Sequence, residues 1–308
     1  MKVVFMGTPD ISATCLRRLV EEKFDVIGVY TKPDMPKNRG MKLVMSETKT
    51  YAISQGLPVY QPASFRDDAV VEELRSLAPD VIAVVAYGKI LPQRVLDIPK
   101  YGCINIHASL LPKYRGAAPI QKCIIDGETK SGVTTMLMEK GLDTGDMLMS
   151  EEVLISPEMT AGELHDKLAA VGGELILKTL AACEDGTLTP AKQDDSLSCY
   201  AGMISKEMCR IDFSLPAKNV YDFIRGMSPS PCAYTFIGDK RLKVYFAVMT
   251  DCTSDKPCGT LIDEEKLTVV CGDGKCISFT EVQGEGGRRM DASSFVNGFR
   301  PQRGIILG

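Results

Sequence analysis

Apolar positions in this chain fall into short continuous runs separated by stretches of helical period. Val3–Met6 is unbroken apolar sequence, the pattern of a strand buried on both faces. Ile11–Glu22 follows, with Leu16, Leu19 and Val20 along one side, and predicts a helix. Phe24–Thr31 (FDVIGVYT) is a second strand-like run. Strand, helix and strand in this order predict a βαβ unit and a mostly parallel sheet. The alternation continues with a helix at Ser46–Gln55, a short strand at Pro58–Tyr60, a helix at Ala69–Leu77 and a strong strand at Val81–Ala86 (VIAVVA). A strand at Cys103–His107, a helix at Ala117–Ile125 and strands at Val133–Met138 and Leu148–Ile155 come next. Thr160 followed by Glu163 reads as a capping box opening a long helix to Cys183, with Gly186 as its stop.

Beyond this helix the pattern changes. Thr189–Met203 has few apolar anchors and reads as a linker. A helix at Ala217–Met227 precedes short strand-like runs at Ala233–Ile237, Lys240–Met249, Gly259–Ile262, Leu267–Cys271 and Cys276–Val282. Five strands with Gly-Asp turns suit a small barrel of the oligonucleotide-binding (OB-like) kind. The expected architecture is α/β: a Rossmann-like, mostly parallel sheet over residues 1–188, a linker over 189–205, and a small C-terminal β-barrel over 206–308.

Composition narrows the classes. At 308 residues, 44% hydrophobic and 25% charged, the chain is an ordinary globular protein of one large or two smaller domains. It contains no apolar stretch long enough to span a bilayer, and it opens directly into a strand rather than a basic-then-apolar leader, so a cytoplasmic protein is expected. Eleven cysteines, an odd and scattered set without a C-x-x-C pair, read as reduced thiols, with no metal site expected. The net charge is −4, but from Lys206 onward there are 14 Lys and Arg against 13 Asp and Glu, which leaves room for an RNA partner there. The first turn, Gly7-Thr8-Pro9-Asp10, lacks the G-x-G-x-x-G fingerprint and argues against dinucleotide chemistry. Lys32–Leu43 places Lys32, Lys37, Arg39 and Lys42 among Pro33, Pro36 and Gly40, a basic loop expected to be mobile and suited either to solvent or to phosphate contact.

The candidate chemistry lies in Gly102–Asp146. In the run Cys103–His107, period 2 puts Asn105 and His107 on one face and Ile104 and Ile106 on the other. An amide and an imidazole at the end of a strand can donate to an oxyanion or move a proton. Asp143, bracketed by glycines, can orient the imidazole, favour its cation or hold a water. Without an activated serine or cysteine, direct acyl-type transfer to an amine is favoured over a covalent intermediate. A satisfied structural Asn/His pair is the plain alternative. The second histidine, His165, sits in a helical surface pattern and is expected to be solvated. Ile90, Leu91, Leu110 and Leu111 suggest an apolar slot for a flat ring, or simple core packing.

Asn105-Ile-His107, the run Ser109-Leu-Leu-Pro-Lys-Tyr-Arg-Gly-Ala-Ala-Pro-Ile120 and Leu142-Asp-Thr-Gly-Asp146 resemble the signature of the folate-dependent formyltransferases. The resemblance runs from Gly7 to Gly304. It implies 10-formyltetrahydrofolate as donor and, in the members most similar to this chain, methionyl initiator tRNA as acceptor. It further implies Asn105, His107 and Asp143 as catalytic residues and Ser109, Leu110, Leu111 and Pro112 as the folate-site lining. Arg39 and Lys42 are implied as tRNA contacts, and a monomer is expected. Formyltransferases acting on amino-sugar nucleotides or glycinamide ribonucleotide share the catalytic three. A formyltetrahydrofolate hydrolase, a nicotinamide-dependent oxidoreductase and a non-catalytic RNA-binding module are further alternatives. Similar proteins often carry a tryptophan near Ser230, and this chain has none.

Overall fold

A computed structural model describes residues 1–37 and 42–308. Two compact units emerge. The first comprises Met1–Gly116, Ser131–Val153 and His165–Tyr200; the second comprises Ala117–Lys130, Leu154–Leu164 and Ala201–Gly308.

The first unit is built on a seven-stranded sheet. Its strands are β1 (Lys2–Gly7), β2 (Asp25–Tyr30), β5 (Val59–Tyr60), β6 (Val81–Val85), β7 (Cys103–His107), β9 (Lys130–Leu137) and β10 (Met147–Leu154). Between them in sequence lie three short strands, β3 (Met35–Lys37), β4 (Lys42–Val44) and β8 (Arg115–Gly116). The sheet order is β10-β9-β7-β6-β1-β2-β5. Pairing is parallel from β5 through β7 and antiparallel between β7 and β9. The expected α/β sheet is therefore present, with β9 running against its neighbours β7 and β10.

Burial explains why these runs are strands. Val4 and Met6 of β1, Ile82 and Val84 of β6 and Cys103 of β7 share one face, and with Tyr30, Leu74, Tyr87 and Leu91 they form a core. Burying each such side chain contributes roughly 1.5–3 kcal/mol. The opposite face packs on helices: a Cβ at Gly172 would lie 3.2 Å from Ile106 and 3.6 Å from the Cys15 sulfur. Gly172 belongs to α6 (Ala161–Glu184), which opens with the expected capping box: Thr160 N–H donates to Glu163 Oε2, and Glu163 N–H donates to Thr160 Oγ1. The first helix, α1 (Asp10–Glu21), begins without a side-chain cap.

Two sequence readings change here. The ends of the basic loop are not free, because β3 and β4 pair as an antiparallel hairpin. His165 is not simply solvated: its Nε2 lies 3.3 Å from Asp10 and its Nδ1 3.1 Å from Asp166.

The second unit carries an antiparallel sheet of β12 (Ala233–Ile237), β13 (Lys240–Thr253), β14 (Leu261–Asp263), β15 (Thr268–Val270) and β16 (Lys275–Gly284), ordered β12-β13-β16-β15-β14. The five expected strands are all there. A two-residue strand at Met290–Asp291 and a helix at Ala292–Phe299 were not foreseen. The helix at Ala217–Met227 contributes Val220, Ile224 and Met227 to this unit's core. The segments 117–130 and 154–164 belong here for steric reasons. A Cβ at Gly226 would meet Ile125 at 2.6 Å, and one at Gly162 would meet Pro229 at 2.6 Å. Arg225, itself buried, donates to the carbonyls of Met159 and Ser156 and pairs with buried Asp222. No helix of the described residues is long and apolar enough to cross a membrane.

Candidate active site

The site grows from the face that Cys103 shares with the core of the first unit. Two residues on, Asn105 occupies the same face, and two further on comes His107 at the carboxyl end of β7. Asn105 is paired with Val84 on one side and Met136 on the other, and His107 is opposite Thr134. The strand ends therefore position both polar groups at the carboxyl edge of a parallel sheet, where open α/β folds bind ligands. Asn105 is half-buried, and among the described residues its amide has no protein hydrogen-bond partner. The amide is thus available to an incoming oxygen.

His107 is buried, and its two nitrogens have different duties. Nε2 lies 2.9 Å from the Tyr114 carbonyl, so a proton on Nε2 is donated there. Nδ1 lies 3.7 Å from Asp143 Oδ2. Anchoring one nitrogen to a backbone carbonyl fixes the ring and leaves Nδ1 as the working position. Asp143 is itself held: its Oδ2 accepts from the Gly116 N–H at 2.8 Å. Its backbone is left-handed, with φ of 54°.

A glutamine that sequence reading left in the linker braces this loop. Gln193 Nε2 donates to the carbonyls of Asp143 (2.9 Å) and Gly145 (2.8 Å). Its Oε1 accepts from Arg115 Nε and Nη2, and Arg115 also pairs with Asp195 at 2.7 Å. A Cβ at Gly145 would lie 1.8 Å from the Leu137 carbonyl oxygen, so only glycine lets the loop run this close to β9.

The 109–112 loop is fixed by hydrogen bonds rather than by apolar packing alone. Ser109 is fully buried and its hydroxyl donates to the Lys113 carbonyl at 2.6 Å. Thr134 Oγ1 donates to the Ser109 carbonyl and accepts from the Leu111 N–H. Leu111 is buried, Leu110 and Pro112 are partly exposed, and the Leu111–Pro112 bond is cis. The four apolar residues suggested for a slot are not alike: Leu91 belongs to the core, whereas Ile90 is 93% exposed. Beside them Lys89 is anchored by donating to the Pro62 and Ala63 carbonyls, and burial, with Lys32 nearby, draws its ammonium pKa downward. Thr8 Oγ1 donates to the Tyr87 carbonyl and Ser12 Oγ to that of Val85, tying the turn after β1 to the end of β6.

Candidate nucleophiles are poorly suited to attack. Burial pushes the Cys103 thiol up to about 12, and the Ser109 hydroxyl is committed to a carbonyl. Arg39 and the side chain of Lys42 lie outside the described residues.

Comparison with known proteins bears on what such a site handles. The formyl transferase family model matches residues 1–180, and the model of the formyl transferase C-terminal domain matches residues 203–300. A methionyl-tRNA formyltransferase of Clostridium novyi is 50% identical over 301 residues, covering 97% of each chain. One of Geobacter metallireducens is 48% identical over 310 residues, covering 100% of this chain and 99% of its own. Among solved structures, an N-formyltransferase of Helicobacter canadensis in complex with folinic acid and dTDP-3-aminofucose has a TM-score of 0.68 at 20% identity, covering 91% of this chain and 99% of its own. That last likeness is one of fold.

Proposed function

Since the chain belongs to the formyl transferase family, we propose that it carries a formyl group from 10-formyltetrahydrofolate to the α-amine of methionyl initiator tRNA. Relatives of that activity matching nearly end to end support the choice of acceptor. The observation that carries the chemistry is the constellation at the end of β7. An amide without a protein partner among the described residues sits two residues from an imidazole whose Nδ1 stands 3.7 Å from a carboxylate.

The amine attacks the formyl carbon, and the formyl oxygen gains negative charge. The Asn105 amide donates to that oxygen, and its worth lies in being already aimed, in a site partly shielded from water. His107 acts through Nδ1, because Nε2 is held by the Tyr114 carbonyl. Protonated there, the imidazolium stabilises the oxyanion, and Asp143 stabilises the imidazolium. Asp143 also holds a water that takes the proton released by the attacking amine, while the folate nitrogen departs and gains one. The loop 109–112, with its buried Ser109 and Leu111, lines the folate side. Residues 206–308, together with Arg39 and Lys42, hold the tRNA. The proposed enzyme works as a monomer in the cytoplasm.

The test is formyl transfer to initiator and to elongator methionyl-tRNA, read by mass spectrometry of the released aminoacyl group. The expected result is transfer to the initiator form alone. Folate binding without transfer to either tRNA would overturn the acceptor and direct attention to amino-sugar nucleotides or glycinamide ribonucleotide. Release of formate without any acceptor would mark a hydrolase.

A further inference from the structure

The second unit contains a thiol pair that the transfer chemistry does not use. In the β13–β16 ladder, Met249 is paired with Ile277 and Thr253 with Lys275. Three residues of β13, 250 to 252, thus bulge against the single residue Cys276. Thr250 Oγ1 donates to the Cys276 carbonyl at 2.9 Å and accepts from the Cys252 N–H, which turns Cys252 back over its neighbour. The Cys252 thiol donates to the Thr253 carbonyl at 3.8 Å. Because Thr253 is paired with Lys275, the next position along the ladder brings Cys252 beside Cys276, and adjacent antiparallel strands, with Cα atoms about 4.5–5.5 Å apart, are within the reach of a disulfide.

Their settings are unequal. Cys252 is exposed and lines a cavity of about 400 Å³, whereas Cys276 is fully buried behind it. Lys256, Lys266 and Arg303 line the same cavity, against one lining carboxylate, Asp263. Asp263 Oδ1 accepts the N–H groups of Glu265 and Lys266. Arg303 also faces Glu264, with Nε 3.9 Å from its Oε2, so the cavity joins one accessible thiol to Lys256 and Lys266 and to an Arg303 shared with Glu264.

We propose that Cys252 and Cys276 form a reversible redox pair whose co-reactant is a small anionic disulfide of the glutathione type, admitted by this cavity. The Cys252 thiolate attacks one sulfur of the small disulfide, forms a mixed disulfide and expels one small thiolate. The Cys276 thiolate then attacks the Cys252 sulfur, closes the intramolecular disulfide and expels the second small thiolate. Two protein thiols are oxidised, one small disulfide is reduced to two thiols, and the two protein protons pass to the expelled thiolates. Burial holds the Cys276 thiol up at about 11, so the second step is the slower one.

The full chain is incubated with oxidised glutathione, quenched with N-ethylmaleimide, digested without reductant and mapped by mass spectrometry. The expected product is a Cys252–Cys276 linked peptide. In Cys276→Ser, glutathione should remain on Cys252; in Cys252→Ser, neither adduct nor link should form. Replacing both Lys266 and Arg303 with Ala should slow the reaction about threefold or more with oxidised glutathione at low salt, and leave the rate with uncharged hydroxyethyl disulfide unchanged. Alkylation of both thiols, a link from Cys252 to Cys258, or a stable glutathione adduct in the unsubstituted chain would overturn the pair. Equal slowing with both disulfides would overturn the role of the cations.

Discussion

The Asn105 amide and the His107 imidazole are proposed to do different work because their surroundings differ. Among the described residues the donors of Asn105 are unspent, so Asn105→Ala should remove the proposed oxyanion contact. About 2–4 kcal/mol of transition-state stabilisation should be lost, with little change in folate affinity. His107→Ala should cost a similar amount and also release the Tyr114 carbonyl. Both are checked by kcat/KM for formyl transfer. Gln193 makes a subtler case. It links the Asp143 and Gly145 carbonyls to Arg115 and touches none of the reacting atoms. Gln193→Glu keeps the acceptor for Arg115 but loses both donors, so it should lower kcat about 5–100-fold with KM for folate nearly unchanged. A loss confined to KM would contradict the positioning role. That Asn105 and His107 share one strand face, with Asp143 near His107, was legible in sequence because period 2 and a glycine-bracketed acid are local patterns. Gln193 was not, because its contacts to Arg115 and Asp143 join positions 78 and 50 residues apart. The partners of His165 escaped for the same reason.

The strands and loops that carry these residues tolerate little added bulk. A Cβ at Gly145 would collide with the Leu137 carbonyl oxygen, which is part of β9 and cannot move alone. Gly145→Ala should therefore displace the Asp143 loop, and a shift of even 1 Å can cost about 100-fold in rate. Folate binding and the thermal unfolding midpoint serve as controls, and normal activity would show that the loop has slack. In the basic segment Lys32–Leu43, Arg39→Ala with Lys42→Ala should weaken tRNA binding and flatten its dependence on salt. Most elements were readable from apolar runs and caps, as in β6 and the Thr160–Glu163 box. The helix Ala292–Phe299 was not, since its sequence ASSFVNGF is short and holds a glycine. What secures it is its cap, Asp291, which accepts from the Ser294 N–H and both neighbouring serine hydroxyls.

Those hydrogen bonds, Ser293 foremost, lower the Asp291 pKa from 3.8 to about 2. A carboxylate depressed on folding stabilises above its unfolded pKa and loses that effect as pH falls through the folded value. The difference in thermal midpoint between the unsubstituted chain and Asp291→Ala should thus be full at neutral pH and shrink between about 4 and 2. The second unit's stability also rests on the buried Asp222–Arg225 pair, with Arg225 holding the 154–164 segment through two carbonyls. Arg225→Met leaves Asp222 buried with Lys218 as its remaining ion-pair partner among the described residues and should cost about 3–5 kcal/mol in denaturant unfolding. This interlacing of 117–130 and 154–164 with the C-terminal stretch was invisible in the linear pattern, where both segments look like continuations of the sheet domain. The account as a whole is tested most directly by one experiment: single-turnover formylation of methionyl initiator tRNA by the unsubstituted chain and by Asn105→Ala, with 10-formyltetrahydrofolate saturating. The predicted result is efficient transfer by the first and a loss of about 30-fold or more in the second, with folate still bound. Equal rates would contradict the oxyanion role of Asn105, and no transfer by the unsubstituted chain would contradict the proposed reaction itself.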